Sequence, residues 1–142
     1  MGLALNEARK AASRGEVPVG AVVVREGTVL SLAGNRTREL NDPTAHAEML
    51  AIREACQTLG AERISGCDLY VTLEPCAMCA GAISFARLRR LYFGAPDPKG
   101  GAVAHGGRFF SSPTCHSAPE VYEGFREAES AALLRDFFEA RR

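Results

Sequence analysis

The stretch DLYVTLEPCAMCAGAISFA, residues 68–86, decides the fold. Its first part, DLYVTLE, is an apolar, β-branched run of strand length and reads as a buried strand over 68–74. Pro75 follows, and proline is favoured at a first helical position, so a helix is predicted over about 76–86. RRLYF at 89–93 supplies the next strand, closed by Gly94. Upstream, AHAEMLAIREACQTL predicts a helix over about 45–59, with Thr44 as its N-cap after a polar loop at 35–43. Two β-branched runs around Arg25-Glu26-Gly27 read as a hairpin, the glycine supplying the positive φ that such turns need. Residues 3–14 place Leu5, Ala8, Ala11 and Ala12 at helical spacing, ended by Gly15.

Downstream lies a Gly- and Pro-rich segment at about 94–118, of a length that is usually functional or mobile. VYEGF reads as a short strand. A final helix over 127–140 puts Ala131, Leu134, Phe137 and Phe138 on or near one face. A hairpin followed by strand–helix alternation implies a mixed sheet with helices on both faces, in one domain spanning 1–142.

Bulk composition removes some function classes. Lysine plus arginine is 17 and aspartate plus glutamate is 17, so no whole-molecule positive field exists and nucleic-acid binding must come from local patches. Arginine supplies fifteen of those cations, and its planar fork suits phosphates and bases. No apolar run approaches membrane-span length, and MGLALNEARK carries Glu7, Arg9 and Lys10 where a signal peptide would be apolar. Five cysteines without a secretory signal read as reduced thiols of a cytoplasmic protein, where clustered cysteine points to metal or catalysis.

Two segments carry the chemistry, Thr44-Ala45-His46-Ala47-Glu48 and Glu74-Pro75-Cys76-Ala77-Met78-Cys79, each opening a predicted helix. A helix N-terminus lowers thiol pKa, and zinc needs thiolates. Alone, Cys-x-x-Cys leaves open a redox pair, half of a structural zinc site or half of a catalytic one. His46 and Glu48 bear on that choice. Residues two apart in a regular helix point roughly 200° from one another, so both are not expected as ligands on one face. In an entry turn, however, His46 can hold metal while Glu48 reaches a water beside it. Three protein ligands with an open fourth position is the pattern of catalytic zinc. A closed structural site would need a fourth ligand from Cys67, His105, Cys115 or His116. Cys56 and Cys67 read as small buried residues. Cys115 and His116 read as exposed loop or oligomer contact, and Arg87, Arg89 and Arg90 as solvated charges able to meet phosphate.

His-x-Glu followed by Pro-Cys-x-x-Cys is the recognised signature of zinc nucleobase deaminases, and the assignment rests on that recognition as well as on spacing. The flanks narrow it. Glu16–Ala21, Asn35, Asp42–Glu48, Leu69–Cys76, Met78–Ala82, Phe93–Ala95, Asp97, Lys99, Ala131–Leu134 and Asp136–Phe138 resemble the bacterial tRNA-specific adenosine deaminases over nearly the whole chain. That resemblance implies a three-layer α/β/α cytidine-deaminase-like fold with a central mixed five-stranded sheet. It implies a homodimer, one zinc per subunit held by His46, Cys76 and Cys79, and hydrolysis of a wobble adenosine to inosine at C6 with loss of ammonia. Glu48 would be the proton carrier. Asn35 would hydrogen-bond the nucleoside, the Ala47 backbone would touch the base, and Val17 and Pro18 would wall the pocket. Asp97 and Lys99 would lie near neighbouring nucleotides, and Phe138 would join the anticodon-loop surface. The competing readings are a deaminase of free bases or nucleosides and a structural-zinc RNA-binding module.

Overall fold

The computed structural model describes residues 1–142. Strands β1 (Gly20–Arg25) and β2 (Thr28–Gly34) form the expected hairpin. Glu26 and Gly27 both take positive φ, 49° and 78°, the two-residue turn whose twist matches paired strands. Strand β3 (Cys67–Leu73) pairs antiparallel with β1 and parallel with β4 (Arg90–Ala95). The short β5 (Glu120–Tyr122) adds parallel to β4, giving one mixed five-stranded sheet in the order β2-β1-β3-β4-β5. Four helices complete the fold: α1 (Gly2–Ser13), α2 (Ala47–Leu59), α3 (Ala77–Ala86) and α4 (Glu127–Glu139). Helices α1 and α4 lie on one face of the sheet, and α2 and α3 lie on the other. This is the expected three-layer α/β/α arrangement.

Period-two alternation explains which helices go where. Cys67, Leu69 and Val71 of β3 face the main core with Ala47, Ala51, Ala55 and Ile83 of α2 and α3. The opposite face takes α1 through Ala4, Leu5, Ala8 and Ala11, all fully buried. That helix lies so close to β1 that a Cβ on Gly20 would stand 1.9 Å from the Ala4 carbonyl oxygen. Small side chains on α1 and a glycine beneath it are therefore one feature.

Three local expectations change. Helix α2 begins at Ala47, not 45, because the Thr44 N–H and hydroxyl both bond to Asp42 Oδ1, at 2.8 and 2.7 Å. Thr44 thus closes a turn around Asp42 instead of capping the helix. Pro75 stands outside α3, which starts at Ala77 with Cys76 at the N-cap. Gly94 lies inside β4 and does not end it. A Cβ there would be 2.5 Å from Ser130 Oγ and 2.7 Å from the Thr72 carbonyl oxygen, so the glycine lets α4 press onto the strand.

Candidate active site

The start of α2 and the start of α3 meet beyond the carboxyl end of β3. His46 is the N-cap of α2, with φ −70° and ψ 152°, and Cys76 is the N-cap of α3, with φ −75° and ψ 176°. Both are extended, so their side chains escape helical geometry. This resolves the two-residue spacing of His46 and Glu48: one precedes the helix and the other lies in its first turn.

His46 Nδ1 is 3.6 Å from Cys76 Sγ and 3.6 Å from Cys79 Sγ. The donor atoms of the three residues all lie within 4.8 Å of one another. A tetrahedral zinc with Zn–S of about 2.3 Å and Zn–N of about 2.0–2.1 Å separates nitrogen and sulfur donors by roughly 3.6 Å. The donor set therefore fits one zinc ion in chemistry and in spacing. None of the residues considered for closing the site joins the group. His105 is turned to Glu74, and Cys115 Sγ lies 3.5 Å from Ser84 Oγ.

Ionisation across these residues is uneven. A hydrogen bond from the Cys79 thiol, working against burial and helped by His46, brings Cys76 down to about 4. The same Cys76 interaction, together with burial, pushes Cys79 up. His46 is raised, chiefly by its bond to Cys76. Glu48 is 4% exposed, and burial pushes its carboxyl up to about 7.

A cavity of about 320 Å³ opens on these residues. Val17, Val19, Asn35, His46, Glu48, Leu73, Glu74, Cys76, Asp97 and Gly100 line it. Its size is at the small end for ligand pockets, which suits one heterocycle. A larger cavity of about 600 Å³, lined by Met1, Tyr70 and Arg126 among others, contains none of the metal-donor residues.

Most of the expected site residues converge here. Asn35 is nearly buried, and its Oδ1 accepts the Ala47 N–H at 2.9 Å. That bond fixes the amide and occupies the Ala47 N–H. Pro18 is fully buried and does not line the cavity. The Val19 N–H closes a tight turn onto the Val17 carbonyl at 2.8 Å, which sends residues 17 and 19 to the cavity and leaves Val19 in the place expected of Pro18. Lys99 is exposed on the rim loop, and Phe138 is 48% exposed on α4; neither lines the cavity. Cys67 is buried as expected, whereas Cys56 and Cys115 are half-buried. Arg89 is forked onto Asp68 at 3.0 and 2.8 Å, and Arg90 onto Glu120 at 2.9 Å, so both are already paired.

Two buried carboxylates were not legible as site residues. Glu16, 1% exposed, accepts the N–H groups of Arg38 and Glu39 at 3.2 and 2.8 Å and so secures the loop leading to His46. Glu74 accepts five donors from the segment that follows β4. Their partners lie some 22 to 31 residues away in sequence, and no local pattern links them.

Fold and site together define a zinc-dependent deaminase domain. The family model for the cytidine and deoxycytidylate deaminase zinc-binding region matches residues 1–95. The chain is 67% identical over 142 residues to a tRNA-specific adenosine deaminase of Agrobacterium fabrum, covering 100% of this chain and 93% of that protein. A solved structure from work on A-to-I editing by tRNA:A34 deaminases superposes with a TM-score of 0.93 at 68% identity, covering 94% of this chain and 97% of the other. A guanine deaminase from Bacillus subtilis shares the scaffold at a TM-score of 0.65 and 34% identity, covering 97% and 88%. The chain belongs to the tRNA-specific adenosine deaminase family.

Proposed function

We propose that the chain deaminates adenosine to inosine at the wobble position of tRNA anticodons by hydrolysis at C6, releasing ammonia. The carrying observation is a buried carboxylate, Glu48, sharing one small cavity with His46 and Cys76 of a His/Cys/Cys donor set that has no fourth protein ligand. His46, Cys76 and Cys79 are the residues that would hold zinc. When bound, zinc supplies Lewis-acid activation of the attacking water.

The remaining steps belong to the chain's own side chains. Glu48 accepts the water proton and delivers it to N1. It then carries the second proton, from the new C6 hydroxyl, to the departing amine, so inosine forms and ammonia leaves. A carboxyl held near neutrality by burial is matched to giving and taking protons in turn. Asn35, its Oδ1 already committed to Ala47, offers Nδ2 as a donor to the nucleoside. Ala47 thereby serves the base by orienting Asn35, and Val17 packs against it. Pro18 supports that wall from behind. Asp97 and Lys99 stand at the mouth for flanking nucleotides, and Phe138 belongs to a wider anticodon-loop surface. An unpaired anticodon base is splayed into such a pocket at little cost.

An anticodon stem-loop bearing a wobble adenosine, incubated with the protein and sequenced, is expected to read G at that position, with free adenosine a poor substrate. Fast turnover of free guanine with no change in the stem-loop would replace this reading by a free-base deaminase.

The working form is a homodimer in the cytoplasm. No helix is long and apolar enough to cross a membrane. Phe85 is 79% exposed on α3, beside Ile52 and Ala82, on the helix that carries Cys79. Ile52, Ala82, Phe85 and Ala86 form an apolar strip bordered by Glu62, Arg63 and Arg87, and that strip is the surface the second copy would cover. Phe85→Glu is expected to shift the protein from dimer to monomer in sedimentation; an unchanged wild-type monomer would remove the dimer.

A further inference from the structure

We infer that Glu74 is a positioning residue: its buried carboxylate pins residues 97–105 as a preformed rim, and so sets affinity for the RNA around the target base instead of the rate of the chemistry. The RNA part rests on the function proposed above; the pinning itself does not.

Glu74 ends the β3 side of the site, two residues before Cys76, and its side chain has no solvent exposure. Oε1 accepts Asp97 N–H at 3.0 Å and faces His105 Nδ1 at 2.7 Å. Oε2 accepts the consecutive N–H groups of Val103, Ala104 and His105, at 3.2, 3.0 and 3.1 Å. Successive amides converging on one oxygen form an anion nest.

The segment it holds has no helix or strand of its own before residue 109. Its other bonds close it on itself and onto the same anchor. Asp97 Oδ1 accepts Lys99 and Gly100 N–H at 3.2 and 2.9 Å, and Ala102 N–H donates to the Pro75 carbonyl at 2.9 Å. The fit is close: a Cβ on Gly101 would lie 2.4 Å from the Glu74 carboxylate and 2.5 Å from the Asp97 carbonyl oxygen. Asp97 and Gly100 line the cavity, and Lys99 is exposed between them. A rim ordered beforehand spares bound RNA the entropy of ordering it.

The test compares wild type, Glu74→Gln and Gly101→Ala, the second pushing the loop off an intact carboxylate. Steady-state deamination of the anticodon stem-loop, zinc content and amide hydrogen exchange are read for each. Both variants are expected to raise KM about tenfold, the effect of ordering one or two side chains on binding. Both should keep kcat and one zinc per chain, with faster exchange confined to residues 97–105. Glu74→Asp, which restores the charge on a shorter arm, should recover part of the KM. Unchanged KM in both variants, or loss of zinc or kcat with KM unaltered, overturns the assignment. A wild type inactive on the stem-loop sinks the tRNA reading instead, and exchange at 97–105 still decides whether Glu74 pins the loop.

Discussion

Glu48→Gln is expected to lower kcat on the anticodon stem-loop about a thousandfold while one zinc per chain and stem-loop binding persist. Glutamine has the size and shape of glutamate but neither takes nor gives a proton near neutrality. Removing a positioned acid–base group costs about 10²–10⁴-fold, and here one group serves two successive transfers. The metal should stay because the donor set is complete without Glu48. The fold should stay because Glu48 is 4% exposed and its burial already disfavours the charged form. Neutral glutamine is relieved of that desolvation, so stability is expected unchanged or slightly raised. Single-turnover kinetics, metal analysis and a binding titration check the three parts. Activity within tenfold of wild type would mean another group moves the protons. Loss of zinc would make Glu48 part of the metal site. Wild type without deaminase activity on any nucleobase, yet binding zinc and RNA, would favour the structural-zinc binding module.

What the sequence revealed of this arrangement followed a simple division. Features set by neighbours along the chain were legible. The apolar, β-branched runs and the Glu26-Gly27 turn pointed to the sheet, and apolar spacing, a proline and turn residues pointed to four helices. His46, Glu48, Cys76 and Cys79 were legible because the chemistry needs those types in those short spacings, and the structure gathers them. Features set by distant partners were not. Thr44 differs from these: its partner Asp42 is two residues away, and the local turn around Asp42 took the side chain that the spacing assigns to a helix cap. Gly94 looked like a strand end because its purpose is the approach of Ser130, thirty-six residues later. Nothing along the chain marks Glu16 or Glu74 as an anchor for a loop. Their burial is tolerable only because loop amides arrive to satisfy them, and loop paths have no sequence period. Lys99 and Phe138 came from family resemblance; both are exposed and neither lines the cavity.

Cys79→Ala should separate the metal from the proton carrier. Cys79 is fully buried in the first turn of α3 and supplies one of three donors. With two donors left, zinc content is expected to fall from one per chain to near zero, and deamination with it. Stability should fall too, since a metal that binds the folded chain and not the unfolded one adds about 4 kcal/mol when present at a thousand times its Kd. The alanine itself removes a small buried sulfur beside Ala80 and so costs less than that linkage. The two contributions are distinguished by a chelator. In wild type and in Glu48→Gln, chelation should lower the thermal midpoint by the same amount; in Cys79→Ala it should change nothing. Should Cys79→Ala keep stoichiometric zinc, or should chelation destabilise it as much as wild type, the metal would have to lie elsewhere in the chain. The pair of variants then reads as two different losses at one cavity: Glu48→Gln keeps the metal and loses the proton path, whereas Cys79→Ala keeps the carboxylate and loses the metal it works beside.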